Sequence, residues 1–120
     1  MEHIVLVGDS IFDNKSYVED APDVISHLRA IMPEDWTATL CAVDGSVTET
    51  IPSQLGRVPR DATQLVLSVG GNDALRNQDL LSEDLQGNRV LSILADVAEE
   101  FEVNYKKAVQ VLTRISHTPI

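Results

Sequence analysis

The stretch Ile4-Val5-Leu6-Val7-Gly8-Asp9-Ser10 decides the fold. Its four aliphatic residues, three of them β-branched, are typical of a strand that is buried on both faces. A glycine, an aspartate and a serine then end the run, and these residue types favour a turn. We therefore expect the central strand of a parallel sheet, with Ser10 at its carboxyl end.

Two further apolar runs end in the same way. Residues 37–43 are predicted to form a second strand that stops at Asp44-Gly45. Residues 65–69 are predicted to form a third strand that stops at Gly70-Gly71-Asn72-Asp73. All three strands therefore end in small and polar residues.

Apolar residues recur at helical spacing between the first two strands and after the third. A first helix is expected from Pro22, because proline suits a first turn, to Pro33, which stops the pattern. A polar loop is expected over residues 76–87. A long helix then runs from Val90 over most of the remaining chain, with a break near Glu102-Val103 left open.

The segment after the second strand carries a helix signal and a conflict. Ser46-Val47-Thr48-Glu49 has the spacing of a capping box. A helix capped at Ser46 would have Pro52 beyond its first turn, where proline is not tolerated, so this helix either starts nearer Thr50 or is kinked at Pro52. Its end is expected near Leu55-Gly56.

Alternating strands and helices predict right-handed βαβ units and an open parallel sheet with helices on both faces. Ligands bind such sheets at the carboxyl ends of the strands, so the three turns are expected to meet at one rim. The Ser10 hydroxyl, the Gly45 N–H and the Asn72 carboxamide would then lie together, as acyl transfer requires. Taken singly, a helix cap is the better explanation of Ser10, and a permissive turn is the commoner role of a glycine such as Gly45. Ordinary turn chemistry also accounts for Asn72. Their joint occurrence at three strand ends favours a site.

Composition excludes several other classes of function. The 120 residues include 9 Lys and Arg against 19 Asp and Glu, a net charge of −10, so nucleic acids and anionic membrane surfaces are not expected partners. The single cysteine, Cys41, permits no intrachain disulfide and is expected to be a small buried residue. No metal-ligand spacing or phosphate-binding loop occurs, so no cofactor is expected. The amino terminus has no leader pattern, which favours a cytoplasmic location.

Together, the motifs at the three strand ends resemble those of a known family. Gly8-Asp9-Ser10-Ile11 resembles the first motif of the SGNH (GDSL) hydrolases, Gly45 falls where the second motif has its glycine, and Gly70-Gly71-Asn72-Asp73 is similar to the third. The resemblance implies a three-layer αβα sandwich with a parallel, flavodoxin-like sheet of order 2-1-3-4-5. It also implies that Ser10 is the nucleophile for a small-molecule ester, with an oxyanion hole formed by the Ser10 and Gly45 N–H groups and the Asn72 side chain. Asp9, Gly70 and Asp73 would support these turns.

The resemblance fails at the carboxyl-terminal part of the family pattern. The Asp-x-x-His motif that supplies the general base is missing, and His3, His27 and His117 are all badly placed to reach Ser10. Without a base, a serine hydroxyl is a poor nucleophile at neutral pH. We therefore expect residues 1–120 to be a single SGNH-like domain that is cut off after its third strand and long helix, and inactive alone.

The sequence also suggests two other functions. The chain could be a non-catalytic module that pairs with another chain through the open edge of its third strand, and its oligomeric state is unknown. A phosphoacceptor receiver domain, suggested by Asp9 and Asp73 at neighbouring strand ends, fails because two further strands and a strand-end lysine are missing. Phe12 and Tyr17 either line the pocket mouth or anchor the core, the second being the commoner role.

Overall fold

The computed structural model describes residues 1–81 and 86–115. Its sheet has three parallel strands, β1 (His3–Gly8), β2 (Thr37–Leu40) and β3 (Gln64–Ser68), in the order β2-β1-β3. Val5 of β1 lies opposite Thr39 on one side and Leu65 on the other. The prediction that the first apolar run forms the central strand is confirmed.

Helices cover both faces of this sheet. The four α-helices of the described residues are α1 (Val24–Ile31), α2 (Ile51–Leu55), α3 (Gly71–Leu75) and α4 (Gly87–Ile115). Three short 3-10 helices accompany them at Lys15–Tyr17, Thr48–Thr50 and Gln78–Leu81.

Two apolar clusters lie on opposite faces of the sheet, and together they give the predicted three-layer α/β architecture. On one face, Leu6 packs with Ile25 of α1 and Ala38 of β2. On the other face, the buried residues come from the sheet, α2, α4 and the segment after β2: Val5, Val7, Cys41, Ile51, Leu55, Leu65, Ala108 and Leu112. Alternate residues of β1 therefore enter different clusters, as expected for a strand that is buried on both sides.

Local chemistry fixes the first helix. Asp23 caps α1, because its carboxylate accepts hydrogen bonds from the N–H and the hydroxyl of Ser26. The Ser26 hydroxyl bond lowers the pKa of Asp23. Pro22 therefore lies just before the cap rather than in the first turn, and Pro33 follows the helix end as predicted. Arg29 near that end donates two hydrogen bonds to the Ala38 carbonyl, at 2.8 and 3.2 Å, and ties α1 to β2.

The second strand and the second helix differ from expectation in detail. β2 ends at Leu40, three residues early, because the N–H groups of Cys41 and Ala42 both donate to the Leu6 carbonyl, at 2.8 and 2.9 Å, and the regular ladder stops there. α2 begins at Ile51 with proline in its first turn, so the unkinked alternative is confirmed, and it ends as predicted.

The capping box predicted from Ser46 to Glu49 is wrong. Instead, the hydroxyl of Thr50 accepts a hydrogen bond from the Val47 N–H at 3.1 Å and donates to the Val47 carbonyl at 2.9 Å. The capping residue is Val47, one residue after the predicted Ser46. Ser46 does not cap the helix because it is buried and its hydroxyl accepts a hydrogen bond from the side chain of Gln54.

The region after β3 is more helical than predicted. α3 already begins at Gly71, within the expected turn. A 3-10 helix occupies Gln78–Leu81, within the expected polar loop. Residues 82–85 of that loop lie outside the described part. α4 runs without the break considered near Glu102-Val103. A salt bridge of 2.6 Å between Glu102 and Lys106, one turn apart, spans that point.

Single residues settle three smaller predictions. Cys41 is buried, and burial raises the pKa of its thiol. Phe12 packs into the cluster around Leu6 and Ile25, so its role as a core anchor is confirmed, whereas Tyr17 is exposed. Within residues 1–81 and 86–115, no helix combines the length and the hydropathy of a membrane-spanning segment.

Candidate active site

The rim of the sheet is formed by the carboxyl ends of β1, β2 and β3 and the turns that follow them. At the end of β1, Gly8 has φ +138°, and a Cβ there would lie 1.9 Å from the Ser68 carbonyl oxygen of β3. Only glycine fits this close approach. The next N–H, that of Asp9, donates to the same carbonyl at 3.1 Å. The turn that carries Ser10 is therefore seated directly on the end of β3.

Asp9 shapes the turn around Ser10. Its side chain is 4% exposed and accepts a hydrogen bond from the Ile11 N–H at 3.1 Å. Its carbonyl accepts from the N–H groups of Phe12 and Asp13, at 3.1 and 3.0 Å, which closes one helical turn. Ser10 lies half-buried at the start of that turn, and none of the described residues hydrogen-bonds to its hydroxyl or its N–H. Both groups can therefore meet a reacting molecule.

Gln54 of α2 links the first turn to the second. The Gly8 N–H donates to its Oε1 at 2.9 Å, and its Nε2 donates to the Gly8 carbonyl at 2.7 Å and to the Ser46 hydroxyl at 2.8 Å. The side chain is 2% exposed. A buried carboxamide with all three contacts satisfied holds its partners in one geometry. The turn after β1 and the turn after β2 are thereby fixed relative to each other.

The third turn is attached to the second by two side chains of α3. The Asn72 amide donates to the Ser46 carbonyl at 3.0 Å, which leaves its second N–H hydrogen for another acceptor. The Asp73 carboxylate accepts from the Thr48 hydroxyl at 2.6 Å and from the Thr48 N–H at 3.0 and 3.3 Å. The turns that follow all three strands therefore belong to one hydrogen-bonded rim.

Gly45 lies at the outer part of this rim. It has φ +86°, and its N–H donates to no acceptor among residues 1–81 and 86–115. The carboxylate of the preceding residue, Asp44, accepts a hydrogen bond from the Tyr17 hydroxyl at 2.9 Å. The Asp44 N–H donates to the Asp13 carboxylate at 2.8 Å. The Asp44 carboxylate raises the pKa of Tyr17 through this hydrogen bond and its charge. These contacts tie the Gly45 turn to the segment after Ser10.

A cleft of about 470 Å³ opens beside the rim, between α3 and α4. Gly70, with φ +131°, lies at its base, and a Cβ there would stand 3.4 Å from the Phe101 ring of α4. Asp73 and Ala74 of α3 line one side, and the remaining apolar lining comes mainly from α4: Leu94, Val97, Ala98 and Phe101.

No histidine of the described part reaches the rim. His3 lies at the amino end of β1, roughly 16 Å of extended chain from Gly8. Its Nδ1 is 2.9 Å from the Asp61 carboxylate and its Nε2 is 2.8 Å from the Thr39 hydroxyl. His27 is exposed on α1, and His117 lies outside the described residues. Within the same ranges, no group of three or more His, Cys, Asp or Glu side chains could hold a metal ion.

Sequence reasoning missed the residues that join the turns, above all Gln54 and Thr48. Gln54 carries one detectable signal, because it shares the buried face of a short helix with Ile51 and Leu55 at helical spacing. A polar side chain at such a position needs buried partners. Nothing in the sequence identifies those partners as Gly8 and Ser46, which are far away along the chain.

Comparison with known proteins bears on the fold. No family model matches the chain, and no curated protein does. Among solved structures, an extracellular lipase from Streptomyces rimosus superposes with a TM-score of 0.65 at 18% sequence identity, over 99% of this chain and 57% of the lipase. The chain therefore has a lipase-like α/β fold and spans a little more than half the length of that lipase.

Proposed function

We propose that this chain carries the nucleophile and the oxyanion hole of an SGNH-type serine hydrolase that cleaves carboxylic esters. The observation that carries the proposal is the hydrogen-bonded path from Gly8 through Gln54 to Ser46 and from Ser46 to Asn72. This path holds the turns of Ser10, Gly45 and Asn72 on one rim. The lipase-like fold supports a hydrolase reaction in general.

Each proposed residue has a defined role in the reaction. Ser10 Oγ attacks the ester carbonyl carbon while a general base removes the hydroxyl proton, and the carbonyl oxygen becomes an oxyanion. The Ser10 N–H, the Gly45 N–H and the second Asn72 amide hydrogen donate to this oxyanion. Collapse of the intermediate breaks the ester C–O bond, and the base returns its proton to the departing alcohol. Water then attacks the acyl-enzyme and releases the carboxylic acid.

The described donors suit this role because each of them keeps a hydrogen that no described residue accepts. Among the described residues, nothing accepts the N–H hydrogens of Ser10 and Gly45, and Asn72 commits only one of its two amide hydrogens. One such donor contributes about 3–4 kcal/mol to transition-state stabilisation in comparable sites. Asp9, Gly70 and Asp73 are proposed as supporting residues that fix the turns.

The general base is proposed to come from outside the described residues, as a histidine oriented by a carboxylate. Neither His3 nor His27 can supply it, because one lies at the opposite end of β1 and the other is exposed on α1. The competing hypothesis of an interaction module that pairs through the β3 edge stays a prediction, as does the cytoplasmic location. Light scattering after size-exclusion chromatography tests the edge pairing, which requires a dimer or larger assembly.

The test of the proposed chemistry is covalent labelling of Ser10. The chain is incubated with p-nitrophenyl butyrate, with imidazole added as an external base, and the butyryl group is located by peptide mass spectrometry. We expect the group on Ser10 and its loss in Ser10→Ala. Ser16→Ala is the matched control, because Ser16 is an exposed serine of the 3-10 helix after the same turn. Labelling that is spread over lysines and unchanged in Ser10→Ala would contradict the proposal.

A further inference from the structure

The turn that carries Gly45 is fixed at its base and exposed at its tip. At the base, the Val43 N–H donates to the last carbonyl of β1 at 3.0 Å, and the buried Ser46 hydroxyl accepts from a side chain of α2 at 2.8 Å. At the tip, Asp44 and Gly45 are exposed, and a Cβ on Gly45 would have no described atom within 4 Å. The tip therefore needs an anchor of its own.

The position of the Gly45 N–H depends on Asp44. The Ser46 N–H donates to the Val43 carbonyl at 3.1 Å, so these four residues form a β-turn. Gly45 has φ +86° and the φ of Asp44 is not positive, which matches a type II turn with these two residues at its centre. The peptide that carries the Gly45 N–H starts at the carbonyl carbon of Asp44. A movement of Asp44 therefore moves this N–H.

Two side chains of the segment after Ser10 hold Asp44. Its N–H donates to the Asp13 carboxylate at 2.8 Å, and its own carboxylate accepts from the Tyr17 hydroxyl at 2.9 Å. Because the backbone and the side chain of Asp44 are both bonded, the residue cannot rotate without breaking one of these contacts. The Tyr17 contact also restrains a carboxylate that the like charge of Asp13 would otherwise repel.

Asp13 is itself fixed relative to Ser10. The Asp13 N–H donates to the Asp9 carbonyl at 3.0 Å and thereby closes the helical turn that contains Ser10. The Asp13–Asp44 hydrogen bond therefore links the N–H of Ser10 to that of Gly45. Donors that share one oxyanion must each lie about 2.7–3.1 Å from it, so their separation tolerates little change.

We propose that Asp13 and Tyr17 are positioning residues, which hold the Gly45 N–H at the distance from the Ser10 N–H that a shared oxyanion requires. The proposal rests on the proposed function. Neither side chain needs to touch the ester, because both act through Asp44. The hydrogen bond to Asp44 and the charge of that carboxylate raise the pKa of Tyr17, so its hydroxyl stays a donor at neutral pH.

The test measures acylation of Ser10 by p-nitrophenyl butyrate, with imidazole as external base, as a function of ester concentration. Asp13→Ala is expected to lower the limiting rate constant by about 10- to 100-fold and to leave the half-saturating concentration unchanged, because a misplaced donor affects the reacting geometry. Asp13→Asn keeps an oxygen that can accept the Asp44 N–H and is expected to recover most of the rate. Tyr17→Phe is expected to lower the limiting rate constant as well.

Two control variants match these changes in chemistry. Asp20→Ala removes an exposed carboxylate from the same segment, and Tyr105→Phe removes the hydroxyl of an exposed tyrosine on α4. Both are expected to leave the limiting rate constant unchanged. Urea unfolding of all the variants identifies a merely structural role, which would lower stability without changing that rate constant.

Backbone amide NMR spectra give a second readout that needs no reaction. In Asp13→Ala we expect the amide signals of Asp44 and Gly45 to shift, whereas that of Ser46 stays in place. An unmoved Gly45 signal, equal rates for Asp13→Ala and Asp20→Ala, or no recovery in Asp13→Asn would overturn the positioning role. Shifts at Gly45 in a parent chain that gains no butyryl group on Ser10 would instead refute the proposed reaction, and the role of these contacts in catalysis with it.

Discussion

Replacing Gln54 tests whether one buried carboxamide holds the rim together. Gln54→Leu keeps a side chain of similar size but removes the acceptor of the Gly8 N–H and the donor to the Gly8 carbonyl and to Ser46. The Gly8 carbonyl retains one partner, the Val43 N–H at 3.0 Å. Among residues 1–81 and 86–115 the Gly8 N–H has no second acceptor, so it becomes a buried donor without a hydrogen-bond partner there.

The expected loss follows from these contacts. An unpaired buried N–H costs about 1–3 kcal/mol, and each lost hydrogen bond with a remaining alternative costs about 1 kcal/mol. The leucine recovers part of this by burying apolar surface in the site of a side chain that is 2% exposed. We expect the free energy of unfolding of Gln54→Leu to fall by about 2–3 kcal/mol.

Gln54→Glu adds a dependence on pH. The protonated carboxyl can reproduce both the acceptor and a donor, but the ionised form directs an anion at the Gly8 carbonyl. Burial and this carbonyl raise the folded-state pKa of the introduced carboxyl above its unfolded value of about 4.3. The variant is therefore close to the parent chain below about pH 4.3 and loses stability as the pH rises toward the folded-state pKa.

Urea unfolding of the parent chain and both variants at pH 4, 5.5 and 7 measures these effects. Gln110→Glu is the matched control, because Gln110 is exposed on α4 and its replacement is expected to change stability little at any pH. Gln54→Leu with the stability of the parent chain would refute the reasoning. A deficit of Gln54→Glu that is the same at all three pH values would refute it equally.

Three further predictions concern the rim and the first helix. Gly8→Ala is expected to cost at least about 3 kcal/mol, because a Cβ would lie 1.9 Å from the Ser68 carbonyl oxygen, whereas Gly71→Ala meets no neighbouring atom and is the control in thermal denaturation. Asn72→Ala is expected to slow acylation of the proposed nucleophile by about 100- to 1,000-fold, measured by time-resolved mass spectrometry; an unchanged rate would exclude it as an oxyanion donor. The lowered pKa of Asp23 stabilises the fold above the unfolded-state pKa, and this stability is lost as the pH falls through the folded-state value. Asp23→Asn should therefore lower Tm at pH 7 and have a smaller effect at pH 2.5. Equal effects at the two pH values would exclude the charge of Asp23 as the source of the stabilisation.

The elements that could be predicted from the sequence are those fixed by local pattern. The run from Ile4 to Val7 is apolar on both faces, and the structure places it in the central strand with Val5, Leu6 and Val7 buried. α1 combines helical spacing with proline on either side, and it forms between Pro22 and Pro33. In both places, propensity and tertiary burial favour the same conformation, so local reasoning was sufficient.

The parts that could not be predicted depend on contacts between distant residues. β2 stops early because two N–H groups share the Leu6 carbonyl, which no pattern within residues 37–43 reveals. α3 begins at Gly71, a residue type that favours a turn. The segment is held in place by α4 and by the hydrogen bond from Thr48 to Asp73. Gln54 belongs to none of the three motifs, although it joins the turns that carry two of them.

The proposed oxyanion hole and the proposed base make separable contributions to catalysis. In a serine hydrolase that has lost a triad member, the oxyanion hole and substrate binding still accelerate the reaction by roughly 10³–10⁴ over water. The donors of Ser10, Gly45 and Asn72 lie on turns that Gln54 and Ser46 hold through contacts within the described chain, without any contribution from a histidine. A weak ester cleavage that depends on Asn72 but not on His3 or His27 is therefore the signature that this rim should give on its own. Such a residual activity would locate the part of the machinery that the described chain contains, because only the proton transfer would then depend on a group outside it.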